Sequence, residues 1–344
     1  MVFSFSFYMK NHLSFAIIGC GKIGSRHAEH IHRMANLAAV CDINPEKAKE
    51  LADQYSVPFF LSVQDMLAQC KADVVAVCTP NGLHAEHTIH ALRAGSHVVC
   101  EKPMAIKTED CRRMIEESKS VKRKLFIVKQ NRFNEAVIAV KNLLDKNLLG
   151  RIYSFQINGF WNRGDDYYHN SWHGTKELDG GTLFTQFSHF IDILYWLLGD
   201  VASVQSYITN TAHPQIEIED NGVAILTMKN GAVGTLNYTV NSYAENMEGS
   251  FTLFGEKGTV KIGGQYLNII SYQQIEGMVL PQAASSQPND YGTYKGSMSN
   301  HDKVYRNVID VLCYNGTIST SAEEGLQTVS LIEKIYAANT SLSN

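Results

Sequence analysis

The sequence of 344 residues has no apolar run near the roughly 18 residues that a membrane span needs, so no membrane partner is expected. It also lacks a surplus of one charge: 30 Lys and Arg against 34 Asp and Glu leave a net charge of −4. Nothing overall then favours nucleic acid or an anionic surface, and an anionic ligand must be met by a local cluster of cations. No Cys-x-x-Cys occurs, and the seven cysteines (Cys20, Cys41, Cys70, Cys78, Cys100, Cys111 and Cys313) are odd in number and lie mostly in apolar runs. Buried thiols in a reducing cytoplasm account for this better than disulfides or zinc, so a cytoplasmic protein without a metal is expected. There is neither an internal repeat nor a low-complexity linker.

What is there is a globular composition, 44% hydrophobic and 19% charged, in a chain long enough for two domains that abut. Val2–Tyr8 is apolar but short, with no basic residue before it and no small-residue cleavage site. Residues 1–12 therefore read as a loose tail, with Met9 as a second possible start.

From there to about residue 131 the chain alternates short apolar runs with helical patterns. Phe15–Ile18, Leu37–Cys41, Val74–Cys78, His97–Cys100 and Leu125–Val128 lack polar alternation and read as buried strands. Pro45–Tyr55, Ala85–Ala94 and Thr108–Lys122 read as helices between them. Such alternation implies a Rossmann-type α/β domain, a doubly wound parallel sheet, over residues 13–131. Residues 132–344 change pattern. A helix at about Glu135–Lys146 precedes a strand at Arg151–Phe160, a polar and aromatic loop, and a long helix at Leu183–Leu198. Strands joined at Asn230-Gly231 and at Glu256-Lys257-Gly258 follow, and helices from His301 and after Ser321 end the chain. This is an α+β domain with an open, mainly antiparallel mixed sheet.

Gly19-Cys20-Gly21-Lys22-Ile23-Gly24 follows the first strand and opens the first helix, and Asp42 ends the next strand. Glycines there allow the tight turn and bring backbone N–H groups to a pyrophosphate at a helix N-terminus. A carboxylate at position 42 accepts from both ribose hydroxyls of NAD and repels the 2′-phosphate of NADP, and Ile43-Asn44-Pro45 offers no arginine to offset it. NAD is the expected cofactor. Thr79-Pro80-Asn81, with His84, and Glu101-Lys102-Pro103 fall just past two further strands, at the carboxyl edge where open α/β sheets bind ligands. A lysine there suits stabilisation of a developing alkoxide.

Thr185, His189 and Asp192 stand four and three apart, on one face if the long helix is continuous. Histidine suits proton transfer near neutral pH, although a lone helical histidine is more often a satisfied core residue. His169 and His173 are also four apart, but in a loop with no third ligand, so solvent or substrate is the expected neighbour rather than a metal. Lys129, Arg132, Arg163 and Lys176 offer either a solvated basic surface or a clamp for carboxylate or phosphate.

These motifs, with Gly19–His27, Leu83-His84, Ala94–Pro103 and Asp179-Gly180-Gly181 followed by His189 and Asp192, resemble the glucose–fructose oxidoreductase/inositol dehydrogenase/rhizopine catabolism (Gfo/Idh/MocA) family over nearly the whole chain. The resemblance implies Lys102 and His189 as catalytic residues and a homodimer or homotetramer built through the second-domain sheets. It implies cofactor contacts at Gly19, Gly21, Lys22, Ile23, Gly24, Asp42, Thr79, Pro80, Asn81, His84, Glu101 and Lys102. Four residues before its histidine the family often has aspartate or asparagine; here the residue is Thr185, which hydrogen-bonds a sugar hydroxyl but cannot orient a protonated partner by charge.

Trp161–Tyr168, Ser171–Thr175 and Tyr294–His301 further resemble the branch that oxidises C3 of UDP-N-acetylglucosaminuronic acid for surface polysaccharide. That likeness implies substrate contacts at Arg132, Trp161, Arg163, Tyr168, Trp172, Lys176, Thr185 and His189, with aromatics stacking on sugar or uracil and cations meeting uronate and diphosphate. The alternatives are a free sugar or polyol dehydrogenase and a non-catalytic NAD-binding sensor; the presence of both Lys102 and His189 weighs against the sensor.

Overall fold

The computed structural model describes residues 12–281, 288–290 and 295–340. The tail expected at the start lies outside the described residues, His12 excepted, and so does Tyr294. The chain forms two compact units: the residues through Met104 with Glu109–Val128 and His301–Ala322, and Ala105–Thr108 with Lys129–Asn300 and the residues from Glu323 on.

The first unit runs β1 (Ser14–Ile18), α1 (Lys22–Met34), β2 (Asn36–Cys41), α2 (Pro45–Tyr55), β3 (Phe59–Phe60), α3 (Val63–Gln69), β4 (Val74–Val77), α4 (His84–Arg93), β5 (His97–Cys100), α5 (Thr108–Ser120) and β6 (Leu125–Ile127). Every strand pair is parallel, in the order β3-β2-β1-β4-β5-β6. Helices on both faces explain why β4 is buried at every position and shows no polar alternation. Local caps fix helix starts: the Asn44 side chain accepts from Lys47 N–H at 3.0 Å with Pro45 in the first turn, and Ser62 accepts from Asp65 N–H at 3.2 Å. The strand order reverses between β1 and β4, which opens a ligand crevice at their carboxyl ends.

The second unit contains α6 (Glu135–Asp145), β7 (Ile152–Phe160), α7 (Asp165–Tyr168), α8 (Thr182–Thr185), α9 (Ser188–Leu198), β8 (Val201–Thr209), β9 (Asn221–Met228), β10 (Val233–Thr239), β11 (Glu248–Gly255), β12 (Gly258–Gly263) and β13 (Ile269–Ile275). Its sheet, β13-β12-β11-β7-β10-β9-β8, is antiparallel except for the β7–β10 pair. α6 packs on β12 and β13, while Tyr207, Val223, Ile225, Val233 and Tyr272 stay exposed on the sheet. A ribbon of β14 (Pro288–Asp290) and β15 (Lys295–Met298) follows. α10 (His301–Cys313) belongs to the first unit and packs on α1, Ile127 N–H donates to Thr320 carbonyl at 3.3 Å, and α11 (Ala322–Ala337) ends the described fold. A single crossing at residues 131/132 did not anticipate this return of 301–322.

The continuous helix expected over Leu183–Leu198 is instead two helices separated by Gln186 and Phe187. Two side chains occupy the break. Gln186 accepts from Arg163 Nε at 2.9 Å and donates to the Tyr167 hydroxyl at 2.7 Å, and Phe187 lies against Gly159, where a Cβ would come within 2.5 Å of its ring. The bare backbone of β7 is thus what lets the start of α9 seat on the sheet. One helical turn, α7, also forms inside the segment expected to be a loop.

Candidate active site

The glycine turn joins β1 to α1. Gly19 has φ of +99°, and a Cβ there would stand 2.6 Å from the Cys78 carbonyl, so only glycine fits the close approach to β4. Gly21 is different: its Cβ would meet nothing within 4 Å, which leaves the N-terminus of α1 open to a ligand. That terminus has no side-chain cap and no acidic residue in its first turn, so its N–H groups and positive dipole end face that space. Asp42 accepts from Cys20 N–H at 2.7 Å through one oxygen and from Asn44 N–H at 2.8 Å through the other. The carboxylate is thereby held beside the glycine turn, with lone pairs remaining for ribose hydroxyls. An open glycine cradle, an uncapped helix end and a fixed carboxylate fit a dinucleotide. Lys22 and Ile23 enter α1 at this edge, Lys22 exposed, and Gly24 packs on Gly19, where a Cβ would fall 1.9 Å from its carbonyl oxygen.

At the ends of β4 and β5 the expected residues gather. Thr79 Oγ1 lies 3.1 Å from His87 Nδ1, Pro80 is half-buried, and Asn81 is buried in the turn leading to α4. His84 is buried with Nδ1 2.7 Å from the Pro103 carbonyl and Nε2 2.8 Å from the Thr79 carbonyl. Both nitrogens thus face carbonyls of the protein's own loops, and the single N–H of the neutral imidazole ties His84 to one of them. Burial lowers its pKa against the pull of the two carbonyls. Lys102 is half-buried, and its N–H donates to Glu101 at 2.9 Å. Glu101 faces inward to His27 and His301 and is itself buried.

In the second unit His189 is buried at the start of α9, with Nε2 3.3 Å from the Gln130 amide nitrogen and 3.4 Å from Ser297 Oγ. The amide nitrogen also donates to Ser297 at 2.9 Å, and facing a donor leaves Nε2 as the acceptor, the tautomer able to take a proton. Neither Gln130 nor Ser297 was singled out from the sequence, because nothing in spacing links residues 59 and 108 positions from His189. Asp192, one turn on, accepts Arg132 through two bonds of 2.8 and 2.7 Å, Lys129 at 3.0 Å and Thr328 at 3.2 Å. Burial alone would raise its pKa, but Lys129 and Arg132 outweigh that and hold it well below the usual carboxylate range. Arg132 also donates to Glu324 at 2.7 Å. The charges of Lys129 and Arg132 are therefore neutralised inside the protein, and the expectation of Arg132 as a substrate cation gives way to an anchor for α9.

Thr185 donates through its hydroxyl to Asp179, which also accepts from Gly174 N–H at 2.9 Å. A carboxylate thus stands directly behind Thr185. Trp161, expected on the substrate, is buried against Phe187, Phe190 and Tyr266 at ring distances of 5.2, 5.8 and 6.0 Å. Tyr168 is likewise buried beside Tyr167 and His213. Core packing, not ligand stacking, is what these two rings do here. Arg163 is buried against the Trp161 and Tyr167 rings and bonds Gln186 and Asn246. Trp172 is half-buried and stacks on His173 at 4.0 Å, and the Tyr167 ring lies 4.2 Å from the same imidazole at a tilt of 40°. Lys176 is exposed, its N–H donating to Glu217 at 2.7 Å, and His169 is exposed. Five of the seven cysteines are buried, and among the described residues no helix is long and apolar enough to cross a membrane.

Residues 13–129 match the model of the oxidoreductase family with an NAD-binding Rossmann fold, and residues 137–261 match the GFO/IDH/MocA C-terminal domain. Among solved structures, the WlbA dehydrogenase from Bordetella pertussis, in complex with NADH and UDP-GlcNAcA, is similar with 38% identity and a TM-score of 0.85, over 95% of this chain and 96% of that one. Inositol 2-dehydrogenase from Salmonella typhimurium is 27% identical over 261 residues, 73% of this chain and 74% of its own. D-glucoside 3-dehydrogenase from Escherichia coli is 33% identical over 194 residues, 54% of each. The glycine turn closed by Asp42 and the two matched domains make this chain a member of the GFO/IDH/MocA family, an NAD-dependent sugar oxidoreductase acting on a CH–OH group.

Proposed function

We propose that the chain oxidises the C3 hydroxyl of a UDP-N-acetylglucosaminuronic acid-like sugar nucleotide to a ketone, in the making of a surface polysaccharide. The likeness to a dehydrogenase holding NADH and UDP-GlcNAcA, over 95% of this chain, is the observation that carries this reading. NAD, seated at the glycine turn by Gly19, Gly21 and Asp42, supplies the hydride acceptor. His189 Nε2, an acceptor facing Gln130 and Ser297, takes the hydroxyl proton. The role assigned to the Lys102 ammonium is to stabilise the negative charge that grows on an oxidised hydroxyl as its C–H bond breaks. Thr185, backed by Asp179, binds a sugar hydroxyl, and Trp172 with Lys176 meets the nucleotide and the uronate, while the buried Arg163 holds Gln186 and Asn246 in place.

A second reading, oxidation of a free polyol, is favoured by the likeness to inositol 2-dehydrogenase. Testing NAD reduction on a panel of UDP-sugars, free sugars and polyols separates the two. UDP-N-acetylglucosaminuronic acid should be preferred over UDP-N-acetylglucosamine by about ten- to a hundredfold, the scale of one charge-assisted contact. Equal rates on the two, or activity on free polyols alone, would contradict the sugar-nucleotide reading.

A further inference from the structure

Lys102 is flanked by two residues that buried histidines hold. On one side, Glu101 accepts three N–H groups: His27 Nε2 at 2.7 Å, His301 Nε2 at 3.3 Å and the Lys102 peptide at 2.9 Å. The Tyr305 hydroxyl sits 2.6 Å from His27 Nδ1 and donates to it, which leaves the hydrogen on Nε2 for Glu101. On the other side, His84 sits between the Pro103 and Thr79 carbonyls, at 2.7 and 2.8 Å, and its single N–H donates to one of them. All five of these side chains are buried, and they come from α1, α4 and α10 as well as from the β5 end itself.

We propose that His27, His301 and His84 are positioning residues: a buried histidine clamp that fixes the peptide of Lys102 from both sides while the Glu101 carboxylate keeps its ammonium charged. The inference rests on the reading of Lys102 as the group on the reacting oxygen. An ionised carboxylate with three N–H donors needs no counterion in the core, so its negative charge is left to act on the neighbouring lysine. Burial pushes Glu101 up, but the bonds from His27 and His301 outweigh it and hold the group well below the usual carboxylate range. The other titratable groups around it do not compete. Burial lowers His27 and His84, lowers His30 to about 4, and raises the Cys78 thiol and the Tyr305 hydroxyl. The ligand atoms of His27, Glu101 and His301 also lie within 4.8 Å of one another, near enough to hold a metal ion. The hydrogens that Tyr305 and the Lys102 peptide assign instead make the cluster a hydrogen-bonded one.

The test uses the NAD-bound protein with labelled lysine, the Lys102 signal being identified by its loss in Lys102→Met. In Glu101→Gln the titration midpoint of that signal should fall by about one pH unit, a tenfold change in proton affinity from removing one nearby negative charge. In parallel, His301→Leu should cut kcat about tenfold with NAD and UDP-N-acetylglucosaminuronic acid while the KM for NAD stays within about twofold. His301→Gln, whose amide still donates to Glu101, should recover most of that loss. A midpoint unmoved in Glu101→Gln, or a His301→Leu protein as fast as wild type, overturns the clamp, as does one equivalent of tightly bound metal in the purified protein. Retained turnover in Lys102→Met would instead sink the role of Lys102 in catalysis and leave the titration result standing.

Discussion

Replacing Asp192 with asparagine tests the anchor beneath His189 most severely. The carboxylate has 2% of its surface exposed and joins Arg132 on the 129–133 turn, Lys129 and Thr328 of α11 to α9. Asparagine keeps the shape and removes the charge, stranding two cations of which each is 3% exposed. Breaking a buried pair by removing one partner costs about 3–5 kcal/mol. Glu324, on the far side of Arg132 and 29% exposed, offsets part of that, so about 3 kcal/mol is the expected loss. For a unit of about 200 residues each kcal/mol moves the melting point by about 2–4 °C, which gives a fall of about 6–12 °C in a thermal scan. The pH dependence has a definite sign. The folded carboxyl titrates well below its unfolded value, so its contribution is complete above the unfolded pKa, about 3.9. It is lost as pH falls from there toward the folded pKa. Wild type and Asp192→Asn should therefore converge in stability in acid and differ fully at pH 7. A melting point within 2 °C of wild type at pH 7 would refute the argument that Asp192 carries the charge balance of this core.

Two further substitutions address the cofactor and the base. Asp42→Ala should weaken NAD binding and narrow the gap to NADP, because the carboxylate beside the glycine turn accepts ribose hydroxyls and repels a phosphate; titration of both cofactors checks it, and NADP binding as tightly as NAD in wild type would contradict it. Wild-type turnover should fall in acid as an imidazole base is protonated, and His189→Asn should lower turnover and lack that limb while NAD affinity stays the same; a pH profile with the same limb in the variant would move the proton transfer elsewhere.

Five strands of the first unit were legible because both faces of its sheet are covered, whereas β3 and α3 were not, and α2 was legible through a local cap that α1 and α4 lack. Pro45–Tyr55 is found at its expected bounds, since Asn44 and Pro45 mark the start within the segment itself. The break at Gln186 was not legible: it depends on Arg163, 23 residues earlier, and on the bare surface of Gly159, neither of which leaves a periodic trace. The same holds for charge. Arg132 reads as a cation available to a substrate until folding brings Asp192, 60 residues away, onto the Nε–Nη2 edge of its guanidinium. Trp161 reads as a stacking platform until Phe187 and Phe190 close on it. Glu101 reads as a cofactor contact and His27 as part of the glycine motif, for the bond that turns Glu101 inward to His27 spans 74 residues. Motif spacing identifies groups that act through backbone close to their own strand ends; it is silent on which side chains are spent on one another.

Single-turnover reduction of protein-bound NAD by UDP-N-acetylglucosaminuronic acid, followed by the absorbance of NADH, tests the central claim whether or not the reduced cofactor leaves. Wild type should develop the NADH band and a ketone on the sugar ring. Lys102→Met should bind NAD as well and form the band at least about a hundredfold more slowly, having lost the cation that stabilises the alkoxide. A band that grows at the wild-type rate in Lys102→Met would contradict the catalytic role given to Lys102.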